Sequence, residues 1–218
     1  MKALRQNPVG ILILAGGRSK RIKENKALIR LGGKPLLLHV IERVIDLTNE
    51  IIVAVGKNDE LSVYTRILPP TVTVVKDVEE DKGPLAGIFA GMKSMHSKYA
   101  LVLPCDSPFI KKEVLMYLIH KAQKVDAAIP QWPNGNIEPL HAIYKIRSAV
   151  TATKTALEKS ELFIRDMIKR LGKVIYISTE EIRKLDPELI TFFNINSPED
   201  LKAAVLHQCT SQGKGSGI

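Results

Sequence analysis

Basic side chains crowd a short glycine-containing segment near the start of the chain. The segment runs from Leu14 to Leu28 and reads L-A-G-G-R-S-K-R-I-K-E-N-K-A-L. The adjacent glycines Gly16 and Gly17 allow close approach of the backbone to an anion, and the side chains of Arg21 and Lys26 can reach phosphate oxygens. We therefore interpret the segment as a loop that binds a polyphosphate.

The charge distribution agrees with this interpretation. The 218-residue chain carries a formal net charge of +9, and residues 1–34 contain nine Lys and Arg residues against one acid, Glu24. Eight of the nine net charges therefore lie in this part of the sequence, not along a helix interleaved with aromatic residues. This pattern favours a small phosphorylated ligand over a nucleic acid or a membrane surface, and a simple solvated basic loop is the alternative.

The spacing of the glycines disfavours two familiar nucleotide-binding loops. The Walker pattern G-x-x-x-x-G-K-[ST] needs a second glycine before a Lys-Ser or Lys-Thr pair, and the segment after Gly16 and Gly17 has neither. The dinucleotide-binding pattern G-x-G-x-x-G is also absent from the segment. A P-loop kinase and a Rossmann-type dehydrogenase therefore both lose support.

The composition is that of an ordinary globular protein, with 45% hydrophobic and 25% charged residues. No stretch reaches the roughly 18 apolar residues of a membrane span, and the first ten residues lack the apolar core of a secretory signal. The two cysteines, Cys105 and Cys209, suggest neither a disulfide framework nor a metal-binding pair. We expect a cytoplasmic protein with one domain over residues 1–206 and a disordered tail over 207–218.

Short apolar runs alternate with segments of helical period. Six runs predict strands: Val9 to Leu14, Ile51 to Val55, Val72 to Val75, Tyr99 to Leu103, Ala127 to Ile129 and Val174 to Ile177. Four segments predict amphipathic helices: Pro35 to Leu47, Leu85 to Met95, Lys111 to Lys124 and Glu161 to Leu171. The alternation predicts a three-layer αβα, Rossmann-like domain with a mostly parallel central sheet, in which ligands bind beyond the carboxyl ends of the strands.

A carboxylate stands at the end of one of these predicted strands. Asp106 follows the apolar run in L-V-L-P-C-D-S-P-F and is well placed to hold a divalent cation. The alternative is that Asp106 caps the helix predicted to begin near Lys111, although five residues separate the two. Cys105 is most simply a small buried residue.

The segment L-A-G-G-x-S-x-R followed by N-K-A-L resembles the signature of the nucleotidyltransferases related to molybdenum cofactor guanylyltransferase, the MobA-like NTP transferases. The usual wording of that signature is close to L-A-G-G-x-S-x-R-M-G-x-x-K. The present chain has Ile22 and Lys23 where methionine and glycine are expected. A side chain therefore replaces bare backbone at one position of the loop.

Further motifs extend the resemblance to about Val205. The turn D-K-G-P-L-A-G, with Gly83 and Gly87, is similar to the family's turn beside the nucleotide, and Asp77 resembles an acidic nucleotide contact in position. The C-D-x-P-F motif implies that Asp106 binds magnesium. The resemblance thus implies catalytic roles for Arg21, Lys26 and Asp106, and nucleotide binding by Leu14, Ala15, Gly16, Gly17, Arg21, Lys26, Asp77, Gly83, Gly87 and Asp106.

Two segments resemble the acceptor side of these enzymes. The first, G-N-I-E-P-L-H-A-I-Y, contains Glu138 and His141, and the second, F-F-N-I-N-S-P-E-D-L, contains Asn194 and Asn196. The alternation around His141 is also that of an ordinary half-exposed strand residue. An N-G turn at residues 131–136 predicts a hairpin tip, from which Trp132 could stack on a flat ligand or contact a partner subunit.

The resemblance implies transfer of GMP from GTP to molybdopterin, with Mg²⁺ as cofactor and pyrophosphate as the second product. Cytidylyltransfer to molybdopterin and guanylyltransfer to adenosylcobinamide phosphate or phospholactate are alternatives of the same fold. A catalytically silent GTP-binding adaptor is an alternative of another class. The expected partners are GTP, a phosphorylated acceptor and other proteins of molybdenum cofactor biosynthesis, but neither a nucleic acid nor a membrane.

Overall fold

The computed structural model describes residues 9–16, 25–77 and 83–213, with side chains to residue 210. Nine strands are formed by these residues: β1 Val9–Leu14, β2 Arg30–Leu31, β3 Lys34–Pro35, β4 Ile51–Val55, β5 Val72–Lys76, β6 Tyr99–Pro104, β7 Ala127–Gln131, β8 Ala142–Lys145 and β9 Val174–Ser178. Seven of them build one sheet in the order β5-β4-β1-β6-β8-β7-β9, while β2 and β3 form a separate short hairpin.

The seven-stranded sheet is parallel apart from one strand. β8 runs antiparallel to both of its neighbours, β6 and β7, and the other described pairs are parallel. All six residues of β1 and all five of β4 are buried, which explains why their sequences are continuous apolar runs without alternation. The predicted fold class is confirmed.

Helices cover both faces of this sheet. The helices of the described residues are α1 Leu36–Val44, α2 Leu61–Ile67, α3 Pro84–Lys93, α4 Lys112–Lys121, α5 Ile146–Glu158, α6 Ile164–Ile168, α7 Thr179–Ile182 and α8 Pro198–Gly213. Of these, α8 packs not on the sheet but in a smaller core with Ile29, Leu31 and Phe109. Ile11 and Ile13 of β1 belong to one core with α1, α2 and α4, while Leu12 and Leu14 belong to a second core with α3, α5 and α6. Alternate strand residues thus supply the two apolar interfaces of a three-layer domain.

Three of the helices in the described part of the chain were not predicted, namely α2, α5 and the short α7. Helix α5 buries Ile146, Ala149, Ala152, Thr153 and Ala156, so its helical period is carried mainly by small side chains. Such residues give a weak hydrophobic pattern, and the threonines in this segment have low helix propensity. The predicted helix from Glu161 to Leu171 is shorter in the structure, where α6 spans only Ile164–Ile168.

A helix extends into the first part of the segment that the sequence predicts to be a disordered tail. Helix α8 continues to Gly213, beyond the predicted boundary at Leu206. The ring of His207 lies 4.7 Å from that of Phe109, and the side chain of Gln208 approaches Gly32 in the β2–β3 turn. These tertiary contacts stabilise helical turns that the polar sequence does not favour by itself. Residues 214–218 lie outside the described part of the chain.

None of the described helices combines the length and apolar character needed to cross a membrane.

Candidate functional site

The carboxyl ends of the parallel strands bring the predicted residues to one edge of the sheet. Leu14 at the end of β1 is in register with Ala54 of β4 and with Pro104 of β6, and Val55 is in register with Lys76 of β5. The residues that follow these strands therefore emerge side by side. They include Gly16, Asp77 and Asp106, which are separated by tens of residues in the sequence.

The backbone that follows β1 is closely packed against neighbouring segments. The Ala15 amide donates to the Ala54 carbonyl over 2.8 Å, which carries the parallel pairing past the end of the strand. A Cβ on Gly16 would lie 3.0 Å from the Gly56 amide nitrogen and 3.4 Å from Asp77 Oδ2. Glycine is needed at position 16 because a larger residue would displace the backbone at Gly56. Gly17 and Arg21 lie outside the described residues.

Lys26 stands at the centre of the charged part of the site. Its Nζ donates to Asp106 Oδ2 over 2.7 Å and to Asn196 Oδ1 over 2.5 Å. The side chain of Asp106 is only 10% exposed, whereas that of Lys26 is 22% exposed. The ammonium group is therefore accessible while its carboxylate partner is largely enclosed, and their separation is that of a charge-assisted hydrogen bond.

A buried hydrogen-bond network anchors the residue before Lys26. Asn25 accepts from the Ala27 amide and donates from Nδ2 to the hydroxyl of Tyr64 over 2.6 Å. The Tyr64 hydroxyl donates to Asp59 Oδ2 over 3.0 Å, and this carboxylate also accepts from the Gly56 amide. Burial raises the pKa of Tyr64, so its hydroxyl remains a donor. Sequence reasoning missed this network because its members belong to three separate segments.

Asp106 is held by the backbone of the segment that contains the two asparagines. The Ile195 amide donates to the Asp106 carbonyl over 2.9 Å, and Ile195 is fully buried. Helix α4 begins after Lys111 without a side-chain cap, so Asp106 does not cap it. Cys105 is buried, and burial raises the pKa of its thiol, which keeps it protonated and unsuited to nucleophilic attack.

Asp77 occupies a half-buried position at the end of β5. Its Oδ1 has no hydrogen-bond partner among the described residues, and a Cβ on Gly87 would lie 3.2 Å from that atom. Burial first, and then the nearby charge of Asp59, raise the pKa of Asp77 to about 6. A buried carboxylate oxygen without a partner is costly, so this atom is a candidate for ligand contact.

The glycine-proline turn before α3 adopts a backbone conformation that favours glycine. Gly83 has φ 62° and ψ −159°, a conformation that strains any other residue, and Pro84 occupies the first turn of the helix. The turn lies at the same edge of the sheet as Asp77 because α3 follows β5 in the chain. Residues 78–82 between them lie outside the described part.

The residues expected on the acceptor side surround a buried histidine. His141 is completely buried, with Nε2 3.0 Å from Ser107 Oγ, and Ser107 donates to Asn194 Oδ1. Glu138 accepts a 2.7 Å hydrogen bond from Trp132 Nε1, so the indole N–H of Trp132 already has a partner within the protein. His141 thus lies behind Ser107 and presents no open face to a ligand, whereas the side chain of Glu138 remains 24% exposed.

The predicted hairpin tip is present. The Trp132 amide donates to the Asn136 carbonyl over 2.8 Å, and Gln131 and Ile137 form an antiparallel bridge. The Trp132 ring packs at 5.9 Å against Phe192 in an edge-to-face arrangement. The tip therefore packs onto the segment that leads to Asn194, which connects the two acceptor motifs.

The described residues contain no group of three or more His, Cys, Asp and Glu side chains suited to a metal ion. The donors near Asp106 are one carboxylate and the neutral amide groups of Asn194 and Asn196. Mg²⁺ retains several waters and commonly uses one or two carboxylates together with substrate phosphates. The donor set is therefore compatible with Mg²⁺ bound jointly with a phosphorylated ligand, but not with a cage made by protein alone.

Comparisons with known proteins show the family to which the chain belongs. A family model for the MobA-like NTP transferase domain matches residues 11–174. A probable molybdenum cofactor guanylyltransferase of Methanosarcina mazei is 33% identical over 201 residues, which cover 90% of this chain and 89% of that protein. Another, from Methanocaldococcus jannaschii, is 36% identical over 197 residues, with 87% and 95% covered.

Solved structures have a similar fold. Molybdopterin-guanine dinucleotide biosynthesis protein A from Archaeoglobus fulgidus is similar with a TM-score of 0.76 and 32% identity, covering 93% of this chain and 99% of that one. The 2-C-methyl-D-erythritol 4-phosphate cytidylyltransferase of Thermus thermophilus has a TM-score of 0.67 at 20% identity, covering 91% and 98%. The second likeness concerns the fold alone.

Proposed function

Because the chain belongs to the family of MobA-like NTP transferases, we propose that it is a guanylyltransferase that transfers GMP from GTP to molybdopterin. The products are the guanine dinucleotide form of the cofactor and pyrophosphate. The observation that carries the proposal is the cluster of Lys26, Asp106 and Asn196 at the carboxyl edge of the sheet. Its accessible ammonium group and enclosed carboxylate lie where this architecture binds ligands.

The reaction requires charge compensation more than proton transfer. A phosphate oxygen of the acceptor attacks the α-phosphorus of GTP, a new P–O bond forms, and the bond to the bridging oxygen of the β-phosphate breaks. The nucleophile is already ionised, so no strong general base is needed. Lys26 would neutralise charge on the triphosphate and on the departing pyrophosphate, and Arg21 would assist from the glycine loop.

Asp106 would hold Mg²⁺ together with phosphate oxygens of the substrates. When bound there, the metal would supply Lewis-acid stabilisation of phosphate charge. Formation of this site requires Lys26 to exchange its contact with Asp106 for contacts with substrate phosphates. Between turnovers, the short ion pair with Lys26 would hold the Asp106 carboxylate in place.

The nucleotide would lie along the ends of β1, β4 and β5. Leu14, Ala15, Gly16 and Gly17 would supply backbone contacts to GTP, and Gly83 and Gly87 would leave space for its nucleoside. Asp77 Oδ1, which has no hydrogen-bond partner in the described ranges, supports this placement because a carboxylate oxygen there can accept hydrogen bonds from the nucleoside. Asn194 and Asn196 would face the acceptor, with Glu138 and His141 behind them.

Pyrophosphate release, measured for each NTP against a panel of acceptors in the presence of Mg²⁺, tests the proposal. We expect turnover with GTP and molybdopterin. Turnover only with CTP, adenosylcobinamide phosphate or phospholactate would replace the substrate assignment by one of the related activities. Binding of GTP without turnover of any pair would instead identify a nucleotide-binding adaptor.

A matched pair of variants tests the site itself. Lys26→Met removes the charge that contacts Asp106 over 2.7 Å, whereas Lys112→Met removes a charge from an exposed pair with Asp46 of similar length, 2.6 Å. We expect the first variant to lose at least about 10²-fold in kcat and the second to retain wild-type activity. Equal activities in the two variants would contradict the assigned role of Lys26.

A further inference from the structure

A completely buried histidine stands directly behind the acceptor side of the site. His141 has no exposed surface, and the ring of Phe192 packs against it edge-to-face at 5.3 Å. Burial lowers its pKa to about 3, so the imidazole is neutral at physiological pH. A neutral imidazole carries a single N–H group, and the ring nitrogen that holds it decides the direction of any hydrogen-bond chain.

The surroundings of the two ring nitrogens differ. Nε2 lies 3.0 Å from Ser107 Oγ, which is itself fully buried, whereas Nδ1 has no hydrogen-bond partner among the described residues. Glu138 Oε2 is 3.8 Å from Nδ1, beyond hydrogen-bond distance, and the other oxygen of Glu138 accepts from Trp132. Placing the proton on Nε2 avoids a buried donor without a partner.

The tautomer of His141 then sets the direction of the hydrogen bond between Ser107 and Asn194. If His141 Nε2 donates to Ser107 Oγ, the hydroxyl proton of Ser107 is free to donate to Asn194 Oδ1. The amide oxygen of Asn194 is thereby occupied, and its Nδ2 donors are left for the site. Asn196 differs, because its Oδ1 accepts from Lys26. An amide that offers N–H groups binds an anionic oxygen and is a poor ligand for a cation.

We infer that His141 is a positioning residue that acts through Ser107 to hold the Asn194 amide with its NH₂ group towards a phosphate oxygen of the acceptor. This inference rests on the proposed function and assigns two different roles to the paired asparagines. Asn194 recognises the acceptor as a hydrogen-bond donor, whereas Asn196 contacts the charged cluster of Lys26 and Asp106. Neither His141 nor Ser107 touches the substrates.

The tautomer of His141 can be measured without turnover. Nitrogen-15 shifts of histidine-labelled wild-type protein report which ring nitrogen is protonated, and the His141 signal is the one absent from His141→Gln. We expect the Nε2–H tautomer. With the Nδ1–H tautomer, Ser107 would donate to His141 Nε2 and accept from the Asn194 amide, so that Asn194 Oδ1 would face the site. That result would overturn the inference. This measurement is informative even if the wild-type protein transfers no nucleotide, so it separates the inference from the proposed function.

Steady-state kinetics with GTP and molybdopterin test the consequence. His141→Leu removes the donor and should raise the KM for molybdopterin about tenfold while the KM for GTP changes less than twofold. His141→Gln can donate from its own amide to Ser107 and should restore most of the loss. A general loss of packing would raise both KM values and would not be rescued by glutamine, which would contradict a positioning role.

Asn194→Asp distinguishes a phosphate contact from a metal contact. The substitution replaces the NH₂ donors by a charged oxygen, so we expect the KM for molybdopterin to rise more than tenfold through repulsion of its phosphate. The concentration of Mg²⁺ that gives half-maximal activity should stay unchanged. Tighter Mg²⁺ dependence with little effect on molybdopterin would show that Asn194 is a metal ligand and would overturn the inference.

Discussion

The two sides of the site differ in charge and in exposure to solvent. On one side Lys26 and Asp106 form a charged pair that is partly open to solvent, at 22% and 10% side-chain exposure. On the other side His141 and Ser107 form a neutral chain with no exposure. The charged side can respond to phosphates by exchanging partners, whereas the neutral side can only hold one geometry. Charge compensation and orientation are thus separated in space.

The largest effect is expected for removal of the carboxylate charge. Asp106→Asn keeps the shape of the side chain but cannot balance Lys26 or hold Mg²⁺ well, so kcat should fall about 10²–10³-fold. Asp46→Asn, in the exposed pair with Lys112, is the control and should leave kcat unchanged. Nearly full activity of Asp106→Asn would break the distinction between the two sides.

The variant Asp77→Asn tests whether the negative charge of Asp77 lowers the free energy of unfolding. The pKa of Asp77 is raised to about 6, so the folded state binds more protons than the unfolded state between about pH 4 and 6, and wild-type stability falls as pH rises through that window. Asp77→Asn lacks this loss. We expect it to be more stable at pH 8 by about 1 kcal/mol, a value discounted for its partial exposure, and equally stable near pH 4.

The same variant should bind GTP about tenfold more weakly, because Asp77 would no longer offer a charged acceptor. Thermal unfolding at several pH values and the KM for GTP measure the two effects. Asp126→Asn is a suitable contrast, because hydrogen bonding from Ser148 lowers the pKa of Asp126 and the charge there is stabilising. A pH-independent stability difference for Asp77→Asn would contradict the assigned cause.

Trp132→Phe probes the support of the neutral side. The change removes the donor to Glu138 while preserving an aromatic ring against Phe192. We expect a loss of about 1 kcal/mol in the free energy of unfolding and a few-fold rise in the KM for molybdopterin, with the KM for GTP unchanged. A matching rise in both KM values would show that the hairpin tip supports the whole site.

Tyr64→Phe should give the smallest effect on catalysis. It removes the buried hydroxyl that links Asn25 to Asp59, and we expect about 1 kcal/mol of destabilisation in chemical denaturation. The kcat should fall no more than threefold, because the Asn25 side chain still accepts from the Ala27 amide and Lys26 keeps its own contacts. A loss as large as that of Asp106→Asn would show that Asn25 controls the position of Lys26.

Much of the fold could be predicted because the necessary patterns are local. The buried runs of β1 and β4 begin and end at the predicted residues, and the glycine turn and the proline-led helix α3 follow from short-range chemistry. Helix α5 escaped prediction because alanines carry its period. Helix α8 extends past residue 206, where His207 packs against Phe109 and Gln208 approaches Gly32, contacts that sequence periodicity does not encode.

The sequence by itself determined which edge of the sheet carries the charged groups. Strand ends of a parallel sheet share one edge, so the position of Asp106 directly after an apolar run predicted a carboxylate where ligands bind, whereas its contact with Lys26 is seen only in the structure. Only the tertiary structure decided which uncharged side chains are joined by hydrogen bonds. Ser107 contacts His141 and Asn194, which are 34 and 87 residues away, and burial makes that histidine neutral. Direction in a hydrogen-bond chain depends on every partner and on the exclusion of water, and neither is a property of local sequence.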